Sequence, residues 1–378
     1  MKRRHIAFFL DQAYGNIIPS LGIAMKLLER GHEVTYVVAE GFSSLIRSIG
    51  AAPIVIDFLK TRERAISELM IENDHEKYRH TPEYLQRRLQ ELVDEQTQYT
   101  LRQVRTSYLD RTPDLVIHDD SMNESGRAFA LELRIPKIRL ATQHIEEQHL
   151  HLFAHDETIL VTIPEFFQPR LDVFKADPRF KFTGFTPEGR CLSFRPWKPL
   201  SGANPRVLVS PTTGQLPQID FCRKIVEIFL DQPWDIVLSI SGSHDKISTF
   251  TTGALGGMSD NVHINRESGN FDIMQDVDLY IGQAGQGGTL EAIYWGLPQI
   301  LIPPTPYHAF VAKRVHELGL GVFLPISELS RETLIGHATK LLNDADTTTR
   351  IQDAQRSMRD RSGSELAANI VEGHLDAR

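Results

Sequence analysis

The chain has 378 residues, and its 41 lysines and arginines against 49 aspartates and glutamates give a formal charge of −8. That acidic balance, with a sequence pI near 6.0, argues against a nucleic-acid binder, which usually shows a basic face. The 41% hydrophobic and 24% charged content fits a globular enzyme of two domains, at roughly 150 to 200 residues each.

Cys191 and Cys222 are too few for a disulfide framework or a zinc site and fit a reducing cytoplasm. The apolar run from Ile6 to Leu10 is cut by Asp11, too soon for a signal peptide, and no stretch is long enough to span a bilayer.

In chain order, His5 to Leu10 reads as a buried strand, Asp11 to Ile18 as a loop and Pro19 to Arg30 as a helix with Leu21, Ala24, Met25 and Leu28 on one face. Glu33 to Val38 completes a parallel crossover, so the first loop falls at the C-terminal edge of a sheet, where such folds bind ligands. Ala52 to Ile56 is a third strand, and the charged, aperiodic 59–81 segment reads as a mobile lid or a helical excursion. Thr81-Pro82 supplies an N-cap and a first-turn proline. A helix from Pro82 to Leu109 follows, with Leu85, Leu89, Leu92, Val93, Leu101, Val104 and Tyr108 on its apolar face.

The run from Pro113 to Asp120 is a strand ending in carboxylates, Ser125 to Leu133 a helix, and Pro136 to Ala141 a strand leading into His144. Beyond it, Glu147, His151 and His155 have i,i+4 spacing that suits a metal only if the segment is α-helical; a solvated histidine-rich loop is the other reading, and no metal is expected. Prolines and glycines across 187–205 mark a linker. A second series then begins with a strand at Arg206 to Ser210, a turn at Thr212-Thr213-Gly214, a helix at Phe221 to Leu230 and a strand at Trp234 to Ile240.

The most informative stretch runs from Val277 to Leu324. Val277, Leu279 and Ile281 alternate as in a strand, and the chain then breaks into Gly282-Gln283-Ala284-Gly285-Gln286-Gly287-Gly288-Thr289 before a helix from Thr289 to Trp295. Glycines let backbone amides approach a ligand, and a helix N-terminus favours an anion, though a tight turn that binds nothing has the same glycine count. Both halves start with strand, polar loop and helix. The predicted fold is α/β, with two Rossmann-like domains facing each other across a cleft.

HIAFFLDQAYGNIIPSL with RGHEVTYV, PDLVIHD, ALGGMSDNV and above all DLYIGQAGQGGTLEAIYWGLPQILIP with AKRVHELGLGV make the chain resemble bacterial family 1 glycosyltransferases of the macrolide and natural-product type. The resemblance implies a GT-B fold. Its parts are an acceptor-binding domain over 1–198, a nucleotide-sugar-binding domain over 205–361 and a helix over 362–378 returning to the first domain. It implies inverting transfer of a hexose from a UDP- or dTDP-sugar to a small hydrophobic acceptor, by a cytoplasmic monomer or homodimer without metal or other cofactor, stable membrane insertion or nucleic acid.

Carried across, it puts Thr213, Gln283, Gly285, Gly287, Gly288 and Thr289 on the donor diphosphate and Glu291 on the ribose. Several positions depart from the family pattern. Gln283 stands where a histidine touches phosphate, Tyr307-His308 where an acid and a glutamine grip the sugar, and Glu267 and Asn270 near the residues that frame the base. The catalytic histidine aligns with Tyr14, and Asp119 holds the place of the aspartate that orients it. A tyrosine phenol, ionising near 10 in peptides, is only ~0.1% phenolate at neutral pH and is a poor base. The catalytic candidates are therefore Tyr14, Asp119 acting directly and His144, unless the acceptor ionises readily by itself. A second reading, a glycosyltransferase-like binding or helper protein that has lost catalysis, remains open at this level.

Overall fold

The computed structural model describes residues 2–58, 82–119, 124–190, 196–212, 218–230, 232–240, 260–265 and 268–376. The predicted lid at 59–81, Thr213 and Glu267 lie outside them. The chain divides into two compact units, one of Met1–Gly189 with Ser362–Arg378 and one of Arg190–Arg361.

The first unit is built on seven parallel strands in the order β3-β2-β1-β4-β5-β6-β7. They are β1 His5–Phe9, β2 Glu33–Val38, β3 Ala52–Val55, β4 Leu115–His118, β5 Lys137–Ala141, β6 Thr158–Val161 and β7 Phe180–Phe182. Helices α1 Tyr14–Glu29, α2 Glu40–Ser48, α3 Pro82–Ser107, α4 Ser125–Leu133 and α5 Leu171–Ala176 join them. Residues of β1 and β4 are buried along their whole length, as expected of strands covered on both faces. One layer of the core joins Ala7, Phe9 and Val116 to Leu101, Val104 and Tyr108 from the end of α3, so the apolar spacing at the end of that helix does face the sheet.

Helix α1 starts at Tyr14, five residues before the predicted Pro19, and runs through that proline. Proline lacks the amide that would bond to Gly15, but Ile17 N–H already closes the first turn onto the Ala13 carbonyl, so the loss falls on one bond near the helix start. The consequence is functional, because it moves Tyr14 and Asn16 from a loop onto the first turn of a helix.

A buried charge network ties the middle of this sheet. Glu157, just before β6, accepts from His118 Nε2 at 2.7 Å and from Arg139 Nε at 2.9 Å. Burial alone would push the Glu157 carboxyl up, yet the hydrogen bond from His118 and the charges of His118, Arg139 and Lys137 outweigh it and hold it below the usual range.

The second unit repeats the plan with six parallel strands in the order β10-β9-β8-β11-β12-β13. These are β8 Arg206–Ser210, β9 Asp235–Ser239, β10 Val262–Asn265, β11 Leu279–Gly282, β12 Gln299–Leu301 and β13 Gly321–Phe323. Its helices are α6 Gln218–Phe229, α7 Asn270–Ile273, α8 Gln286–Trp295, α9 Pro306–Glu317, α10 Arg331–Asn343 and α11 Ala345–Arg359. Val207, Val209, Ile236, Leu238, Leu279, Ile281 and Ile300 form the sheet's share of a core with Ile225 and Phe229 of α6 and Leu334 and Ala338 of α10. Both sheets thus have the doubly wound order in which the chain reverses direction beside the first strand.

The last helix, α12 Gly363–Asp376, belongs to the first unit and packs on α1. Arg30 bonds to Glu365 and Glu372, and His32 Nε2 lies 3.0 Å from the other oxygen of Glu372. The two helices approach at Gly22, where an added Cβ would meet Ser364 Oγ at 2.4 Å and Glu188 Oε2 at 2.8 Å.

Gly22→Ala should therefore destabilise the docked α12 by about 1–3 kcal/mol, the usual range for overpacking. The readouts are a lower melting temperature and faster amide exchange over 363–376; unchanged exchange there would remove Gly22 as the contact point. Glu157→Gln should be more damaging, by about 3–5 kcal/mol at neutral pH, because it breaks a buried charge network. With its folded pKa below the unfolded value, Glu157 contributes fully above pH 4.5 and the contribution is lost as pH falls below that value, so melting temperatures of variant and wild type should converge in acid.

Candidate functional site

In each unit, the loops at the point of strand-order reversal and the helices that follow them hold most of the described residues predicted for the site, His144 and Tyr307-His308 lying after the neighbouring strands. In the first unit that point lies between β1 and β4, with Phe9 level with His118. Asp119 follows β4 directly and is 2% exposed. Its Oδ2 accepts from the Asp11 amide and from Asn16 Nδ2, both at 2.8 Å, while Asp11 Oδ1 accepts from the Gln12 amide at 2.9 Å. The carboxylate is thus fixed by the loop after β1 and by the first turn of α1.

Tyr14 is not part of that arrangement. It is 55% exposed and turns its ring edge-on to Phe42, with centroids 5.0 Å apart. Asn16, two residues along α1, is what reaches Asp119. His144 is 8% exposed in the loop after β5, the neighbour of β4, and the next residue anchors that loop through Ile145 N–H to Gln168 Oε1 at 3.1 Å.

The metal reading of Glu147, His151 and His155 required an α-helix. Glu147–Leu152 is a 3₁₀ helix, which aligns residues i and i+3 rather than i and i+4. Among the described residues no group of three or more histidines, cysteines, aspartates or glutamates is arranged to hold a metal ion.

In the second unit the reversal lies between β8 and β11, with Ser210 level with Gly282. After Gly282 the chain turns through Gln283 and Ala284, the latter at φ 60°, to Gly285, which is the N-cap of α8. Gln283 Oε1 accepts from the Thr212 amide at 3.0 Å and so ties the loop after β8 to the loop after β11. The acceptor of that side chain is used; what it can offer a ligand is an N–H donor.

Helix α8 begins at Gln286, three residues before the predicted Thr289. Its first intrahelical bond runs from Thr289 N–H to the Gly285 carbonyl, so the amides that precede any helical partner are those of residues 286–288. The Thr289 amide is therefore committed to the helix. Its hydroxyl, on a residue with no exposed surface, has no hydrogen-bond partner among the described residues.

The glycines divide into two kinds. An added Cβ on Gly282 or Gly288 would meet the hydroxyl of buried Tyr280, at 2.3 Å and 2.7 Å, so packing alone demands glycine at both. Burial pushes the Tyr280 phenol up, the nearby Glu291 charge adds to the shift, and the hydroxyl stays protonated. At Gly285 and Gly287 an added Cβ would meet nothing nearer than 3.7 Å and 3.4 Å, and these two keep the first turn of α8 bare.

Glu291 lies one turn along α8, where its carboxylate accepts from Arg190 Nη1. Both side chains are largely buried, at 12% and 6% exposure. Tyr307 and His308 open α9, after β12 on the same edge of the sheet. His308 is 8% exposed and places Nδ1 2.6 Å from the N-cap Thr305 Oγ1, and burial holds its imidazole below the usual range. That imidazole is a neutral part of the helix cap. Asn270 opens α7 and donates to Ser210 Oγ at 2.8 Å.

The sequence reading missed Asn16, Tyr280 and Arg190. The sequence puts Asn16 in a loop, because Pro19 suits a helix start better than a helix interior. Tyr280 sits two residues from Gly282 on the same face of a strand, a spacing that could have signalled why that glycine is required. Arg190 is 101 residues from Glu291, and nothing local marks it.

Residues 247–372 match the family model described as the erythromycin biosynthesis protein CIII-like C-terminal domain. Over its length the chain is similar to an NDP-glycosyltransferase of Bacillus subtilis (strain 168), at 26% identity covering 99% of this chain and 98% of the relative. A demethyllactenocin mycarosyltransferase of Streptomyces fradiae is 27% identical, covering 98% and 86%. Among solved structures, the calicheamicin glycosyltransferase superposes with a TM-score of 0.78 at 26% identity, covering 100% of this chain and 99% of that one. With two parallel Rossmann-like sheets and a glycine-capped helix at the second reversal point, the chain has the GT-B fold and is similar over its length to family 1 glycosyltransferases of the natural-product type.

Proposed function

We propose that the protein transfers a hexose from a nucleoside diphosphate sugar, UDP- or dTDP-linked, to a hydroxyl of a small hydrophobic acceptor, with inversion at the anomeric carbon. The observation that carries this reading is the bare first turn of α8 with Glu291 one turn behind it. Amides of residues 286–288 and the helix dipole suit a diphosphate, and a carboxylate one turn on suits the two hydroxyls of a ribose. The names of the relatives, an NDP-glycosyltransferase and a mycarosyltransferase, support the same donor class.

The acceptor hydroxyl gives its proton to Asp119, and its oxygen attacks the anomeric carbon on the face opposite the diphosphate. The nucleoside diphosphate leaves with the bonding electron pair, its growing charge met by the first turn of α8. Asp119 is favoured over the other two candidates because two donors fix its carboxylate and it needs no ionised phenol. Tyr14, half exposed beside Phe42, suits an apolar acceptor surface. The first unit is thus assigned to the acceptor and the second to the donor.

Incubated with UDP- and dTDP-hexoses and a panel of hydroxylated aglycones, the protein should release nucleoside diphosphate; no release with either donor class would sink the reading. Asp119→Asn should lower kcat by ~10²- to 10⁴-fold and remove the acid limb of the pH profile, whereas Tyr14→Phe and His144→Gln stay within about ten-fold. A larger loss for His144→Gln would move the base there.

The two kinds of glycine should separate in the same way. Gly287→Ala is expected to keep the melting temperature and weaken UDP or dTDP binding. Gly288→Ala should lower the melting temperature, and Tyr280→Phe in that background should restore part of it. Equal effects of the two alanines on stability would contradict the division.

A further inference from the structure

We infer that Arg190 is the cation of the donor site: it neutralises Glu291 in the nucleotide-free protein and transfers to the diphosphate when a nucleotide binds. The inference rests on the assignment of α8 and Glu291 to the donor.

Three observations carry it. The Arg190 guanidinium bonds to Glu291, and its Nη1 also lies 3.4 Å from where a Cβ on Gly287 would stand. One side chain therefore reaches both the carboxylate suited to ribose and the bare turn suited to phosphate. Second, a positive charge at a helix N-terminus is electrostatically unfavourable, so Arg190 is tolerated there because Glu291 compensates it. An arriving diphosphate would reverse that sign, and a guanidinium matches two phosphate oxygens at once. Third, the Thr289 hydroxyl, fully buried on the same turn and without a partner among the described residues, is a donor already desolvated. Gln283 and Thr289 are neutral, so the positive charge among these described side chains comes from Arg190.

The exchange makes recognition of ribose and diphosphate interdependent. A nucleoside alone has to displace Arg190 from Glu291 and gives the guanidinium nothing in return. Inorganic pyrophosphate draws Arg190 away and leaves Glu291 buried without a counter-charge. A nucleoside diphosphate satisfies both groups together, and release of the product restores the internal pair.

Calorimetry of the full chain with UDP, dTDP, uridine, thymidine and inorganic pyrophosphate tests this. In Arg190→Gln the affinity for UDP or dTDP should fall ~10- to 100-fold, the range expected on losing a charge-assisted contact, while the nucleoside binds as well as or better than in wild type. Arg190→Lys should recover part of the diphosphate affinity. Because Arg190→Gln leaves Glu291 buried and uncompensated, the double variant Arg190→Gln with Glu291→Gln is included. It should melt closer to wild type and still lack the preference for diphosphate over nucleoside.

If Arg190→Gln weakens nucleoside and nucleoside diphosphate by the same factor, Arg190 only positions Glu291 and the inference is overturned. If the ratio of the two affinities is unchanged in the double variant, it is overturned as well. Wild-type protein that binds neither UDP nor dTDP would instead remove the donor-site assignment, and this inference with it.

Discussion

The all-parallel pairing of each sheet is the constraint on which the rest depends. Parallel neighbours cannot be joined by a hairpin, so the chain must cross over between them, in most of the described connections through a helix, and such crossovers are right-handed as a rule. Where strand order reverses beside β1 and β8, successive crossovers leave on opposite faces, and the loops at that edge are left uncovered. Register does the rest. Phe9 level with His118 brings the Asp11 amide to Asp119, and Ser210 level with Gly282 brings the Thr212 amide to Gln283. The polar residues in those loops meet because backbone ladders elsewhere have fixed where the strands stop.

Within the second unit the same scaffold produces a local conflict of charge. The N-terminus of α8 is a positive end, and an arginine lies against it, held by a largely buried glutamate. A buried ion pair is weak evidence for stability, since an apolar pair of the same volume commonly does as well. Its desolvation cost is unnecessary for packing α8, which already buries Leu290, Ala292 and Ile293. What the pair adds is two groups kept dry and oriented, each able to take a partner of opposite polarity without building a new pocket.

Legibility in the sequence followed the length of the signal. β1, β2, β4, β8 and β11 were readable as continuous or alternating apolar runs because a parallel strand covered on both faces needs them. β6 and β7 were missed, for TILV and FKF are too short to tell from a buried loop. The starts of α1 and α8 were placed late for a common reason. Each contains a residue that disfavours helix, Pro19 or the pair Gly287-Gly288, and tertiary contacts override that preference. The glycine loop is legible as the turn that opens α8, but the reason for half its glycines is not, since it depends on the ring of Tyr280 beneath them. Arg190 was invisible because only the fold brings a linker residue to α8.

The place of Tyr14 acquires a different meaning once Asn16 is considered. Where the family resemblance expects a histidine beside Asp119, α1 presents an asparagine amide at 2.8 Å and sends the tyrosine outward. An imidazole partner would share its proton equilibrium with the carboxylate, each shifting the other. An amide cannot titrate; it donates to the Asp119 carboxylate and takes no proton itself. The loss of the histidine therefore comes with a change in what surrounds the aspartate. A group that would have oriented an imidazole is itself oriented by a neutral donor, which is the arrangement a carboxylate needs if it receives the acceptor's proton directly.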